Sequence, residues 1–141
     1  MLNNIIQIMS TIVVIVQNSG TTSVNGEYYY KKANVIPHGF DIVCKQNGWN
    51  PNELWNKLNG NSYYFEKEDG AYIYYNKGDQ RWWIDAKSGL GVYIADTDGS
   101  EDAKKYPPQD GYKVLQNAKL PLPTVIVKTR NNNNKEGNEM L

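Results

Sequence analysis

The stretch that decides the fold is residues 71–95, AYIYY-NKGDQ-RWWID-AKSGL-GVYIA. It holds three short aromatic and β-branched segments, and a glycine-bearing turn separates each from the next. Strand-forming residues broken at intervals of about ten by such turns are typical of antiparallel hairpins. The stretch therefore predicts a β-meander and an all-β fold.

Further strand-like segments lie on both sides of this stretch. They predict about seven to eight strands in a small antiparallel meander, arranged as a partly closed barrel or a sandwich. Asn25-Gly26 predicts a turn over residues 24–27, because this pair readily adopts positive φ. Residues 35–45 predict irregular or extended chain. The expected strands are 11–16, 28–32, 62–66, 72–75, 81–85, 91–95, 112–115 and 124–128.

One short helix is expected inside this β-domain, at residues 50–59. Asn50 can cap it, Pro51 suits its first position, and Glu53 stands three residues after the cap. Gly60 follows Asn59 and can end it. We expect this helix to be an insertion that covers a sheet face or an open barrel end.

The chain of 141 residues predicts a single β-domain over residues 11–128. Residues 1–10 form an N-terminal segment, and residues 129–141 predict a disordered asparagine-rich tail. The first and last strands, 12–16 and 125–127, are both strongly β-branched. We expect them to lie close together, because either one alone would be an exposed hydrophobic edge.

The composition limits the kinds of binding partner and the cellular compartment that we expect for the protein. Fifteen acidic and fifteen basic residues balance, so nothing favours nucleic acid or an anionic membrane. The apolar start of the chain is read as a strand, with a signal peptide in residues 1–20 or a membrane anchor as alternatives. One cysteine and no Asn-x-Ser/Thr acceptor favour a cytoplasmic protein, and a signal peptide would make it secreted.

The order of several short motifs resembles a known family. A β-branched opening strand precedes Val-Asn-Gly-x-Tyr at 24–28, and Tyr-Ile-Tyr-Tyr, Trp-Ile and Gly-Val-Tyr strands follow. A Pro-Pro step, Gly-aromatic-x-Val at 111–114 and Pro-x-Pro-x-Val at 121–125 complete the series. This order resembles an uncharacterised β-module that recurs in large protist proteins beside kinase, repeat or ubiquitin-ligase domains.

The resemblance covers roughly residues 11–128 and has two departures. Tyr112 stands where that module more often has tryptophan, and residues 48–60 look like an insertion. The module brings no catalytic residues to carry over. What the resemblance implies is a recognition or scaffolding role.

The aromatic strands supply the candidate binding residues. Neighbouring residues of a strand face opposite sides, so one of Trp82 and Trp83 is expected in the core and the other on a surface. An exposed tryptophan beside tyrosines could stack a sugar or a proline-rich peptide, whereas cross-strand packing would bury the same rings. The candidate residues are Trp82, Trp83, Tyr72, Tyr74, Tyr93 and Arg81.

Other chemistry has weaker support in the sequence. Asp96, Asp98 and Asp102 form a weak candidate calcium site, although their spacing favours a solvated acidic turn. Cys44 and His38 are the only thiol and imidazole, and Glu66 and Asp85 are the acids considered for a hydrolase. No cofactor motif is present. We expect a non-enzymatic structural or protein-interaction module, in self-assembly or with a protein partner, and alternatively a carbohydrate-binding module.

Overall fold

The structure is a computed structural model that describes residues 10–60, 62–131 and 135–140. Its elements include a short 3-10 helix at Thr22–Val24 and two α-helices, α1 at His38–Gln46 and α2 at Pro51–Asn59. The strands are β1 Ser10–Gln17, β2 Gly26–Lys31, β3 Tyr64–Lys67, β4 Tyr72–Asn76, β5 Arg81–Asp85, β6 Gly91–Asp96, β7 Tyr112–Val114, β8 Thr124–Asn131 and β9 Lys135–Met140.

All of these strands belong to one curled antiparallel sheet. In the described part of the chain its order is β7-β6-β5-β4-β3-β2-β1-β8-β9. From β1 to β7 each strand pairs with its neighbour in sequence, as in a meander. The sheet curls into a half-barrel. The predicted all-β meander is confirmed.

The predicted closeness of the first and last strands is also confirmed. β8 pairs with β1 over eight successive residue pairs, from Ser10↔Asn131 to Gln17↔Thr124. Val14 and Val16 of β1 oppose Val127 and Val125 of β8, and all four are buried. Their burial removes β-branched surface from solvent, which would otherwise form an exposed hydrophobic strand edge prone to association.

The two faces of the sheet carry separate cores. The inner face holds the larger one, which spans β1 to β8 and includes Phe65, Ile73, Trp82, Ile84 and Tyr93. The opposite face, here called the helix face, holds Phe40, Cys44 and Trp55 from the helices over Tyr64, Tyr72 and Tyr74 from the strands. Alternation along β4 and β5 thus sends successive rings into two different cores.

Helix α2 forms as its capping residues predict. The Asn50 side chain accepts a hydrogen bond from the Glu53 amide at 3.1 Å, and Gly60 ends the helix in the left-handed conformation. Trp55 is fully buried, and its ring lies 5.3 Å from Tyr64 and 5.2 Å from Tyr74. The helix therefore covers a sheet face, and it supplies the centre of the second core.

Three expectations differ from the structure. Residues 38–46, expected to be irregular, form α1, which starts directly after Pro37 and buries Phe40 and Cys44. Asn25 does not start a turn over residues 24–27 but closes the 3-10 turn that begins at Thr22, and its side-chain oxygen accepts hydrogen bonds from the Ser19 amide and hydroxyl. Residues 129–131 and 135–140, expected to be disordered, are strand, because the β1 and β8 ladders continue through them. The expectations for residues 1–9, 132–134 and 141 lie outside the described residues.

Candidate functional site

The aromatic residues proposed as a binding platform are mostly buried. Trp82 and Tyr93 lie in the inner core, and Tyr72 and Tyr74 lie in the core under the helices. The Trp82 indole donates to the Ala103 carbonyl at 2.8 Å, so its polar edge is used internally. The sequence alternation left open which tryptophan is buried, and the structure shows that it is Trp82.

Trp83 keeps part of its surface exposed on the helix face. Its ring stacks on Tyr74 with 6.4 Å between centroids, and its indole nitrogen donates to Asp79 at 2.9 Å. A Cβ at Gly91 would lie 2.8 Å from the ring, so only glycine leaves room for Trp83 there. Of the five aromatic candidates, Trp83 alone can meet a ligand without repacking.

Arg81 belongs to an ion-pair trio across β5, β6 and β7. Its Nε donates to Asp96 Oδ1 at 2.6 Å, and Lys113 Nζ donates to the other oxygen at 2.6 Å. These hydrogen bonds, from Lys113 first and Arg81 second, lower the pKa of Asp96. The trio directs the Arg81 side chain to Asp96 on the neighbouring strand β6.

The acidic loop after β6 does not bring its carboxylates together. Asp96 is held by the trio, Asp98 accepts from the Ser100 amide at 2.9 Å, and Asp102 pairs with Lys105 at 3.4 Å. Within residues 10–60, 62–131 and 135–140, no group of three His, Cys, Asp or Glu side chains could hold a metal ion. Asp96 and Asp98 instead line a groove of about 540 Å³ with Tyr106 and Pro108.

The groups considered for catalysis lie in different environments, and Tyr72 stands between Glu66 and Asp85 in the register of the sheet. Cys44, on α1, is buried against the helix face of the sheet, and that burial raises its pKa, whereas a nucleophilic thiol needs a lowered pKa. His38 is exposed at the start of the same helix. Glu66 pairs with Lys31 at 3.7 Å, and Asp85 is only 4% exposed. Burial raises the pKa of Asp85 to about 7, and the neighbouring Tyr72 hydroxyl lowers it in part.

An exposed apolar surface, which sequence reasoning missed, lies around the edge strand β7. We call it the β7 corner and define it by four side chains that are 40% to 70% exposed: Leu90, Val114, Leu120 and Leu122. Isolated leucines in turns carry no pattern along the sequence, so only the folded chain groups them.

The sheet brings these four residues to one end. Leu90 is in the β5–β6 turn, Val114 ends β7 opposite Tyr93, and Leu120 and Leu122 lie in the β7–β8 connection. Leu115 donates its amide to the Val92 carbonyl at 2.9 Å, which ties the connection to the start of β6. The Tyr93 hydroxyl donates to the Lys119 carbonyl and holds the next part of it.

Comparisons with known proteins add no family to this geometry. Neither the family models nor the curated proteins nor the solved structures that were compared match the chain. Among the described residues, neither helix has the length and apolar character needed to cross a bilayer. The chain is therefore characterised by its fold and surfaces, an antiparallel half-barrel with an aromatic double core and an exposed apolar corner.

Proposed function

We propose that this protein is a non-enzymatic interaction module that binds an extended segment of a partner protein at the β7 corner. The observation that carries the proposal is that exposed Leu90, Val114, Leu120 and Leu122 all lie in or beside connections at one end of the sheet. Apolar side chains grouped on a protein surface mark interaction sites more often than scattered ones do. The resemblance to a recognition or scaffolding β-module agrees with this proposal.

The edge strand suggests that the partner segment is extended. β7 pairs with β6 on one side, and it ends the order of the described strands. An edge strand presents unpaired amides and carbonyls, which an added strand can use, while flanking apolar side chains select its residues. Val114, the last residue of β7, belongs both to this edge strand and to the β7 corner.

The charges around the β7 corner suggest which other residues the partner segment contains. Lys87 and Lys119 are exposed in the two connections that hold Leu90 and Leu120. Neither lysine makes an ion pair with any residue that the structure describes. A segment with acidic residues beside its apolar ones would complement them.

The test is selection of a displayed library of random linear peptides on the full chain. We expect enrichment of peptides that alternate apolar residues with Asp or Glu. Their binding should fall at least about tenfold in Leu120→Ser/Leu122→Ser, which is more than 1.4 kcal/mol of binding free energy. The matched control is Val35→Ser, because Val35 is similarly exposed but lies before α1.

Three outcomes would overturn the proposal. One is equal peptide binding by the double-serine variant. The second is self-association in light scattering that the same variant abolishes, since the occupant would then be another copy of the chain. The third is cosedimentation with anionic vesicles that depends on the two leucines, since the surface would then serve a membrane.

The carbohydrate-binding alternative keeps one supporting observation. The Trp83 ring is partly exposed beside Asp79, Arg81 and Asp96, whose polar groups could bond sugar hydroxyls. Glycan-array binding that Trp83→Ala abolishes and Trp49→Ala leaves intact would favour this function over the first. If no glycan on the array is bound, the carbohydrate-binding function is refuted.

A further inference from the structure

Asp85 is a buried carboxyl group that lies beneath α1. It ends β5 on the helix face and is 4% exposed. Helix α1 rests directly on the turn that follows Asp85: a Cβ at Gly39 would lie 2.3 Å from the Lys87 carbonyl oxygen and 2.6 Å from the Gly89 amide nitrogen. Helix α1 therefore packs on the chain directly after Asp85, next to the buried carboxyl group.

No cation compensates this carboxyl group among the described residues. The titratable groups that interact with it electrostatically are the Tyr72 and Tyr74 hydroxyls of β4 and the Tyr28 hydroxyl of β2. On α1, Cys44 faces Tyr72, whereas Asp41 and Lys45 pair with each other at 3.0 Å. His38 and Lys87 are exposed.

The polar groups of this interface are poorly satisfied. Three buried side-chain atoms of α2 and the helix face have no hydrogen-bond partner in the protein: Trp55 Nε1, Asn59 Oδ1 and Tyr64 Oη. Asp85 has only the neighbouring Tyr72 hydroxyl as a polar partner. A buried polar group without a partner is costly, and an ionised one more so. A nine-residue helix such as α1 is marginal without its packing. Both helices have nine residues, but α1 is the one that rests on the turn after Asp85, so it is the helix that hydration of Asp85 would displace.

We propose that Asp85 is a pH-sensitive latch for α1: the neutral carboxyl group stays covered, and its ionised form displaces the helix and exposes Cys44 with the tyrosines beneath it. The proton released on ionisation goes to solvent. Burial raises the pKa of Asp85 to about 7, so the transition falls near neutral pH. The proposal rests on the helix face alone and is independent of the β7 corner.

Cys44 is a built-in reporter of this opening, because it is the only cysteine of the chain. The experiment measures the rate of its alkylation by iodoacetamide in the native full chain and in Asp85→Asn, from about pH 5 to about pH 8. Dividing the two rates at each pH cancels the chemistry of the thiolate. The wild-type to variant ratio should rise on the order of tenfold to a hundredfold across this range. Asp102→Asn, which changes an exposed acid, should keep the wild-type profile.

A second measurement uses the wild-type chain, so the test does not depend on how the variant folds. Carbon NMR of the side-chain carboxyl groups follows the titration of Asp85, and amide hydrogen exchange follows the opening of α1. An Asp85 titration near neutral pH with exchange in α1 rising together with it supports the latch. Titration below about pH 5, or exchange and alkylation ratios that stay flat while Asp85 titrates, would overturn it.

Discussion

The Tyr93 hydroxyl on β6 donates a hydrogen bond to the Lys119 carbonyl in the β7–β8 connection. The same hydroxyl accepts from the Thr21 amide at 3.1 Å and lies 3.0 Å from the Thr21 hydroxyl. One buried phenol thus joins two loops that are 98 residues apart in sequence. It positions the connection that carries Leu120 and Leu122.

Tyr93→Phe should lower the free energy of unfolding by about 1 to 2 kcal/mol, because it leaves the Lys119 carbonyl and the Thr21 amide without this partner. Urea unfolding followed by fluorescence measures the change. Tyr29→Phe is the control, since the Tyr29 hydroxyl bonds Glu27 at the exposed surface. Equal effects of the two substitutions would contradict the role given to Tyr93.

Trp55→Ala should cost about 3 to 5 kcal/mol of unfolding free energy, because it empties the centre of the core under the helices. Trp49→Ala should cost much less, since Trp49 is 52% exposed. Thermal unfolding of the two variants side by side gives the comparison. Similar melting temperatures would mean that α2 contributes little to the stability of the sheet.

Asp85→Asn should change how stability depends on pH. The folded pKa of Asp85 is raised above its ordinary value, so its contribution to stability is fully present below about pH 4 and is lost as pH rises through about 7. Between these pH values the free energy of unfolding of the variant should therefore rise relative to that of the wild type. The difference should reach about 4 kcal/mol, which corresponds to a pKa shift of about three units. Urea unfolding at a series of pH values tests this, and parallel curves for both proteins would refute it.

Gly39→Ala should destabilise the protein although alanine favours helices. The added Cβ would meet the backbone of Lys87 and Gly89, which cannot move aside as a flexible side chain does. The expected loss is about 1 to 3 kcal/mol, with faster alkylation of Cys44. Gly78→Ala is the control, because its Cβ would come no closer than 3.1 Å to the Asn76 side chain. A stabilised Gly39→Ala variant would show that α1 does not rest on the turn.

Sequence reasoning worked best where a local signal and a long pattern agreed. The hairpins of residues 71–95 have alternating aromatic residues and glycine turns, and the structure has β4, β5 and β6 there. Asn50 and Gly60 marked the ends of α2 for the same reason. Residues 38–46 carry no such signal, because Pro37 directly before them and Gly39 suggest a loop, while packing on the sheet makes them helical.

The candidate site was much less predictable. Alternation shows that Trp82 and Trp83 face opposite sides, but each side of the sheet has its own core. Tyr72, Tyr74 and Tyr93, which the sequence suggested as part of a binding platform, are therefore buried in the two cores. Of the tryptophans of that platform, only Trp83 is partly exposed. Nothing in the sequence distinguishes Asp85 from the exposed acids, because its burial depends on residues elsewhere in the chain.

By itself, the sequence determined the antiparallel meander, the capped helix and the closeness of the first and last strands, because turn chemistry, capping and the need to bury β-branched edges act locally or along whole strands. Only the tertiary structure decided which face α1 and α2 cover, and therefore which rings and which carboxyl group are buried. It also decided that four apolar residues, which are far apart in the sequence, lie at the same end of the sheet and form the β7 corner. Burial and proximity depend on residues far apart in the chain, and no local pattern records them.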